Sequence, residues 1–159
     1  MTPTRLVLRT GAATALLGTL VASACTLAGP TSVTPADAAA GAAFCAQEVN
    51  RRRAAAGLAE LAVSPELEAF ASESARIDSA AGRPHQHFIE TGGGGVATAE
   101  TELLMWRADV ETVIRQGLDQ MWSEGEAGEH YRILAGPYRS VGCGVFADAG
   151  GVTVAQDFR

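Results

Sequence analysis

Residues 140–158 read SVGCGVFADAGGVTVAQDF and consist of two alternating runs joined by a glycine turn. This pattern predicts a β-hairpin. Successive side chains of a strand point to opposite faces, so one face of the first strand carries Val141, Cys143 and Val145. The other face carries Gly142 and Gly144, and their lack of side chains leaves it open to close contact with another backbone. The hairpin therefore predicts a small antiparallel sheet.

Three segments before the hairpin have the composition and end signals of helices. Residues 44–56 are rich in alanine and arginine, residues 65–81 follow a capping Ser64, and residues 109–122 begin with a capping aspartate. Residues 91–100 include four consecutive glycines, from which we expect a flexible loop. Helices around a small antiparallel sheet make the predicted class α+β.

The charge of the chain excludes one class of partner. The full sequence of 159 residues carries a net charge of −6, and the segment 41–159, which lacks Arg5, Arg9 and Asp37, carries −7. Binding to nucleic acid depends on basic groups that neutralise phosphates. We therefore expect no nucleic-acid partner.

Residues 1–24 have the layout of a secretory signal peptide. Arg5 and Arg9 precede an uncharged stretch that ends in small residues. That stretch is shorter than the roughly 20 residues that a membrane-spanning helix needs. We expect a signal peptide and no transmembrane anchor.

The sequence contains two candidate processing sites after the signal peptide. Cys25 closes a weak lipobox, in which the cysteine would be lipidated and would anchor the protein to the membrane, whereas small residues near Ala40 permit ordinary secretion. Residues 25–43 contain few large apolar side chains and are expected to form a linker or tether. The folded domain is then predicted to span residues 44–159.

Four motifs follow one another through that domain. The first is Asn-x-x-Arg-x-x-x-Gly-Leu-x-x-Leu, and AET, MWSEG and EHYRIL come after it. Their defining residues are Asn50, Arg53, Gly57, Leu58, Leu61, Glu100, Glu124 and His130. In this order and spacing they resemble the CAP superfamily, which includes cysteine-rich secretory proteins, venom allergens, plant pathogenesis-related proteins and bacterial SCP-like members. With the secretory signal, the resemblance is to a bacterial member.

The resemblance implies an α-β-α sandwich with a cleft lined by two histidines and two glutamates. Glu100, Glu124 and His130 match three of these positions. We assign the fourth to His87, which directly precedes the loop leading to Glu100, and keep His85 as the alternative.

Two imidazoles and two carboxylates in one cleft form a set of ligands suited to Zn²⁺ or another divalent ion. His87, His130, Glu100 and Glu124 are thus the expected metal ligands. The alternative is an acid/base pair acting on a bound substrate.

Binding is favoured over catalysis, because the sequence contains neither H-E-x-x-H nor G-x-S-x-G. We expect a secreted or lipid-anchored monomer that binds a lipid, a glycan or another envelope ligand. A metal-assisted hydrolase and a structural envelope module are the alternatives.

Two contacts between distant parts of the chain are also expected. In an oxidising compartment Cys45 and Cys143 should form a disulfide, because Cys25 is removed or lipidated; two buried free thiols are the alternative. In the first helix, Arg53 is expected to turn inward to a carboxylate.

Overall fold

The structure, a computed structural model, describes Met1 and residues 32–159. Its elements, in chain order, are α1 (Pro35–Ala55), β1 (Ala62–Val63), α2 (Pro65–Ala81), α3 (Gln86–Thr91), a 3-10 turn (Gly93–Gly95), β2 (Ala99–Trp106), α4 (Val110–Ser123), α5 (Glu129–Leu134), β3 (Ser140–Asp148) and β4 (Gly151–Phe158). Apart from Met1, the predicted signal peptide lies outside the described residues, and so does Cys25.

A four-stranded sheet in the order β1-β3-β4-β2 forms the middle layer. The predicted hairpin is confirmed as β3 and β4, which pair antiparallel from Val141 opposite Phe158 to Asp148 opposite Gly151. Strand β2 adds to the other edge of β4, also antiparallel, whereas the two-residue β1 pairs parallel with β3. The α+β class is confirmed, although the sheet is mixed rather than wholly antiparallel.

Helix α2 packs on the glycine face of β3, as the sequence indicated. A side chain at Gly142 would collide with Leu67 and the backbone of Glu68, and one at Gly144 with the backbone of Ala71. The two glycines therefore allow α2 to lie directly against the strand. The predicted start of this helix is also confirmed, since the Ser64 side chain accepts a hydrogen bond from the Leu67 backbone N–H.

Helices α1 and α4 cover the opposite face, where the main apolar core lies. Its fully buried side chains include Val49, Leu118, Leu134, Val141, Val154 and Phe158. Cys45 on α1 and Cys143 on β3 lie in this core and form the expected disulfide. The bond joins one outer helix to the central sheet, and two layers of helices around the sheet complete the sandwich.

Helix α1 begins well inside the segment predicted to be a linker. Its first turn follows Thr34, whose hydroxyl accepts a hydrogen bond from the Asp37 backbone N–H. Gly41 and Ala42 are buried, and Gly41 packs against Val145. Part of the segment predicted to be a linker is thus helical, because small residues that cannot fill a core still allow a helix to approach a strand closely. Of the helices in the described residues, none is long and apolar enough to cross a membrane.

The segment expected to be a flexible loop, residues 91–100, is largely ordered into regular elements. It contains the end of α3 at Thr91, the 3-10 turn and the first residues of β2. Each of its four glycines has a positive φ angle, from 60° to 73°, which glycine adopts without steric strain. The glycines here form a tight connection between α3 and β2.

Candidate functional site

A cleft of about 390 Å³ opens between α3, the start of β2 and α5. Its lining residues are His85, Phe88, Ile89, Thr98, Ala99, Glu100, Glu129, His130 and Ile133. Apolar side chains from α3 and α5 border the polar groups. Glu100 and His130, which were assigned to the site by resemblance, line the cleft, and so does His85, which was kept as the alternative to His87.

One wall of the cleft holds a histidine–glutamate pair. His85 Nδ1 lies 2.9 Å from Glu100 Oε1, and the His85 side chain is 31% exposed while that of Glu100 is buried. His85 has a left-handed backbone (φ 60°), and its backbone N–H donates to Glu102 Oε2 at 2.8 Å. The hydrogen bond to Glu100 raises the pKa of His85 against the opposing effect of burial.

A second pair lies at the junction of α4 and α5. Glu124, which caps the end of α4, places Oε1 2.7 Å from His130 Nδ1, and its other oxygen accepts the His130 backbone N–H at 3.2 Å. The hydrogen bond from His130 lowers the pKa of Glu124. Glu124 is thus hydrogen-bonded to His130 through both of its carboxylate oxygens.

Helix α5, which carries His130, is held in place by an arginine from α1. Arg53 is buried and donates from Nη1 to the carbonyls of Leu134 and Gly136, at 2.7 and 3.0 Å, and from Nε to the carbonyl of Ala59. Arg53 does turn inward, but the expectation of a carboxylate partner was wrong. Carbonyls at the end of a short helix need donors, and the guanidinium supplies them.

The structure places His87 outside the cleft. Its Nδ1 lies 3.0 Å from Ser74 Oγ on α2, its ring stacks on Phe70 with centroids 4.7 Å apart, and its backbone N–H donates to Asp78. His87 thus joins α3 to α2, and His85 is the histidine beside Glu100. The first turn of α3 points the two rings in different directions, which their positions in the sequence did not reveal.

Behind His85 lies a group of buried acidic side chains that we call the acid cluster: Asp78, Glu100, Glu102 and Asp157. Burial raises the pKa of Glu102 to about 8 and that of Asp157 to about 9, and the neighbouring carboxylates of the cluster add to both shifts. Burial also raises the pKa of Asp78. Among the residues that the structure describes, one set of three or more potential metal ligands has donor atoms within 4.8 Å of one another, and it consists of His85, Glu100 and Glu102.

Sequence reasoning missed Glu102, Asp78 and Asp157. A signal for Glu102 was present, since it follows Glu100 by two residues and would share its face in a strand. That signal went unused because residues 91–100 were expected to form a flexible loop and no strand was predicted at β2. Asp157 is adjacent to Glu100 only through strand pairing, which the sequence does not specify.

The two histidine–glutamate pairs each present one imidazole to the cleft. A neutral imidazole has one nitrogen that donates and one that accepts, so each pair keeps an imidazole nitrogen for a ligand after bonding its glutamate. The set of described ligand atoms within 4.8 Å excludes His130 and Glu124. The four residues therefore form two separate pairs rather than one compact set.

Comparison with known families agrees with this architecture. Residues 46–158 match the model of the CAP, or cysteine-rich secretory protein, family. Neither the curated proteins nor the solved structures gave a significant match. The family match covers most of the chain, including all three long strands and both histidine–glutamate pairs, and the chain belongs to the CAP family.

Proposed function

We propose that this protein is a secreted or lipid-anchored CAP-domain protein that acts by binding a ligand in the cleft. The observation that carries this proposal is the presence of two histidines at one apolar-bordered opening, each hydrogen-bonded to a glutamate: His85 to Glu100, and His130 to Glu124. Small-ligand sites are concave, mostly apolar and equipped with a few well-placed polar groups. The cleft has this composition.

The lining favours a ligand with both polar and apolar parts. Ile89 on the rim is 72% exposed, and Phe88 and Ile133 extend the apolar border. Imidazole and carboxylate groups would bind hydroxyl or amide groups of such a ligand. A lipid with a hydroxylated head group and a glycan fragment of the cell envelope both fit this description.

A divalent ion also suits these residues. Glu100 Oε2 is buried without a hydrogen-bond partner, and His85 and Glu100 supply the nitrogen and oxygen donors that Zn²⁺ takes. When bound, such an ion would polarise an oxygen of the ligand. Within the chain itself, His85 and His130 would hold the ligand, and Glu100 and Glu124 would orient the two imidazoles.

An extracellular location is supported by the disulfide between Cys45 and Cys143. Disulfides persist in oxidising compartments and are rare in the cytosol. Family membership supports the same location. The proposed signal peptide and the lipid attachment at Cys25 complete the hypothesis.

The test is calorimetric binding of two probes, phosphatidylglycerol vesicles and soluble peptidoglycan fragments. At least one probe should bind the wild type, and His130→Ala and Glu124→Gln should each weaken that binding at least tenfold. Glu126→Gln, an exposed change two residues from Glu124, is the matched control and should bind like the wild type.

Three results would contradict the proposal. Equal affinity of the wild type and both cleft variants would place the ligand elsewhere. Failure of both probes to bind would favour a structural envelope module. Zn²⁺-dependent cleavage of the peptidoglycan fragments would favour the metal-assisted hydrolase.

A further inference from the structure

The acid cluster occupies the layer between the sheet and α2. Glu100 and Glu102 lie on the same face of β2, and Asp157 on β4 is directly opposite Glu100 in the strand register. Asp78 comes from α2, which packs on that face. All four residues are more than nine-tenths buried, and Asp78 and Asp157 are completely so.

The hydrogen bonds of the described residues leave this cluster short of donors. Five of its carboxylate oxygens are buried without a partner: Asp78 Oδ2, Glu100 Oε2, Glu102 Oε1, Asp157 Oδ1 and Asp157 Oδ2. The remaining three oxygens accept from His85 Nδ1 and from the backbone N–H groups of His85 and His87. Buried polar groups in proteins are nearly always satisfied, so five unmet oxygens in one place require an explanation.

Glu48 shows how the same chain treats a buried carboxylate elsewhere. It is as buried as the members of the acid cluster, but both of its oxygens accept from arginines: Oε2 from Arg52 Nη1 at 2.7 Å and Arg51 Nη2 at 2.9 Å, and Oε1 from Arg51 Nε at 3.1 Å. Among the described ion pairs, only that of His85 with Glu100 reaches the acid cluster. Four carboxyl groups thus share one imidazole as their cationic partner.

We propose that the acid cluster binds one divalent metal ion, with His85, Glu100 and Glu102 as its protein ligands and Asp157 as the adjacent fourth carboxylate. The site shares His85 and Glu100 with the cleft, but the inference does not depend on the cleft binding an organic ligand. It differs from a site across the cleft because it uses Glu102 and Asp157 and leaves out His130 and Glu124.

The spacing of the donor atoms fits a single ion. Ligand atoms 2.0 to 2.6 Å from one ion lie at most about 4 to 5 Å from each other. The donor atoms of His85, Glu100 and Glu102 already lie within 4.8 Å. His85 is partly exposed and lines the cleft, so one ligand of the proposed site borders solvent.

The donor set selects among metals. Imidazole suits Zn²⁺ and related transition metals, whereas carboxylates also take Mn²⁺, Mg²⁺ and Ca²⁺. One imidazole with two or three carboxylates therefore favours Zn²⁺ or Mn²⁺ over Ca²⁺ or Mg²⁺. A bound ion would also supply the positive charge that the buried carboxylates lack.

The experiment measures Zn²⁺ and Mn²⁺ binding by calorimetry to the chelator-treated protein. Glu102→Gln keeps the shape of the side chain, removes one charged ligand and leaves the cleft lining intact, and it should weaken binding at least tenfold. His130→Ala and the exposed control Glu90→Gln on α3 should stay within twofold of the wild type.

Other outcomes overturn the inference. Loss of binding in His130→Ala with full binding in Glu102→Gln would place the ion across the cleft. No binding to the wild type below 1 mM metal, on the order of −4 kcal/mol, would mean that protons alone neutralise the cluster. Should Glu102→Gln fail to fold, the rise in Tm that Zn²⁺ induces is compared between the wild type and His130→Ala. An equal rise in His130→Ala supports a metal site in the acid cluster, and loss of the rise contradicts it.

Failure here is distinguishable from failure of the cleft proposal. The cleft is tested with lipid and peptidoglycan probes and with variants of His130 and Glu124, none of which belongs to the acid cluster. A protein that binds peptidoglycan but no metal, or metal but no peptidoglycan, would separate the two proposals.

Discussion

Replacement of both Cys45 and Cys143 by alanine should lower the free energy of unfolding by about 4 to 5 kcal/mol. The disulfide closes a loop with a sequence separation of 98 residues. For a loop of this length the chain-entropy relation gives about 4.7 kcal/mol at 25 °C, because the cross-link restricts the unfolded chain. Since small domains are stable by roughly 5 to 15 kcal/mol, this loss is a large share of the total.

Urea denaturation followed by far-UV circular dichroism, with and without reductant, measures the effect. Reductant should destabilise the wild type by about the same amount and leave the double variant unchanged, which separates loss of the cross-link from loss of two buried sulfur atoms. The dependence of the free energy on urea should also steepen without the disulfide, because the unfolded chain exposes more surface. A difference below about 1 kcal/mol between wild type and double variant would refute the loop-entropy argument.

Two further predictions concern packing and charge. Gly144→Ala should destabilise the protein by about 1 to 3 kcal/mol, because its Cβ would collide with the backbone of Ala71 on α2; an unchanged urea midpoint would contradict the close helix–strand contact. Hydrogen bonding by Arg51, with a contribution from Arg52, lowers the pKa of Glu48 to about 2 against the effect of burial. The ionised Glu48 carboxylate therefore stabilises the folded protein above pH 4.5, and this stabilisation is lost as pH falls toward 2. Between pH 5 and pH 3 the wild type should lose about 2 kcal/mol more than Glu48→Gln in urea titrations, and parallel pH profiles would show that the ion pairs contribute nothing.

Local signals in the sequence predicted the elements whose ends and faces are determined by nearby residues. Ser64 and Asp109 cap their helices because each side chain accepts a backbone N–H three residues ahead. The alternating run around Gly142 and Gly144 predicted the hairpin and a face open to close backbone contact, which α2 occupies in the structure. Helix caps and strand alternation depend on residues only a few positions away, which is why sequence patterns predict them.

Helix α1 and strand β2 show where local reasoning ends. The start of α1 was taken for a linker because its residues are small, yet Gly41 packs against Val145 on a strand about 100 residues later. Strand β2 was not predicted at all, since its first residues were assigned to a glycine-rich loop, although its pairing with β4 makes it part of the sheet. Packing and strand pairing across the chain decided both elements.

For the candidate site, the motifs and the family resemblance identified Glu100, Glu124 and His130 from the sequence alone. Only the tertiary structure decided between the two histidines, because the left-handed backbone at His85 turns its ring to Glu100 while the ring of His87 packs on Phe70. The acid cluster is likewise assembled only by the tertiary structure. Asp157 reaches Glu100 through the register of β2 and β4, and a strand register is set by the whole sheet and its packed helices rather than by neighbours along the chain.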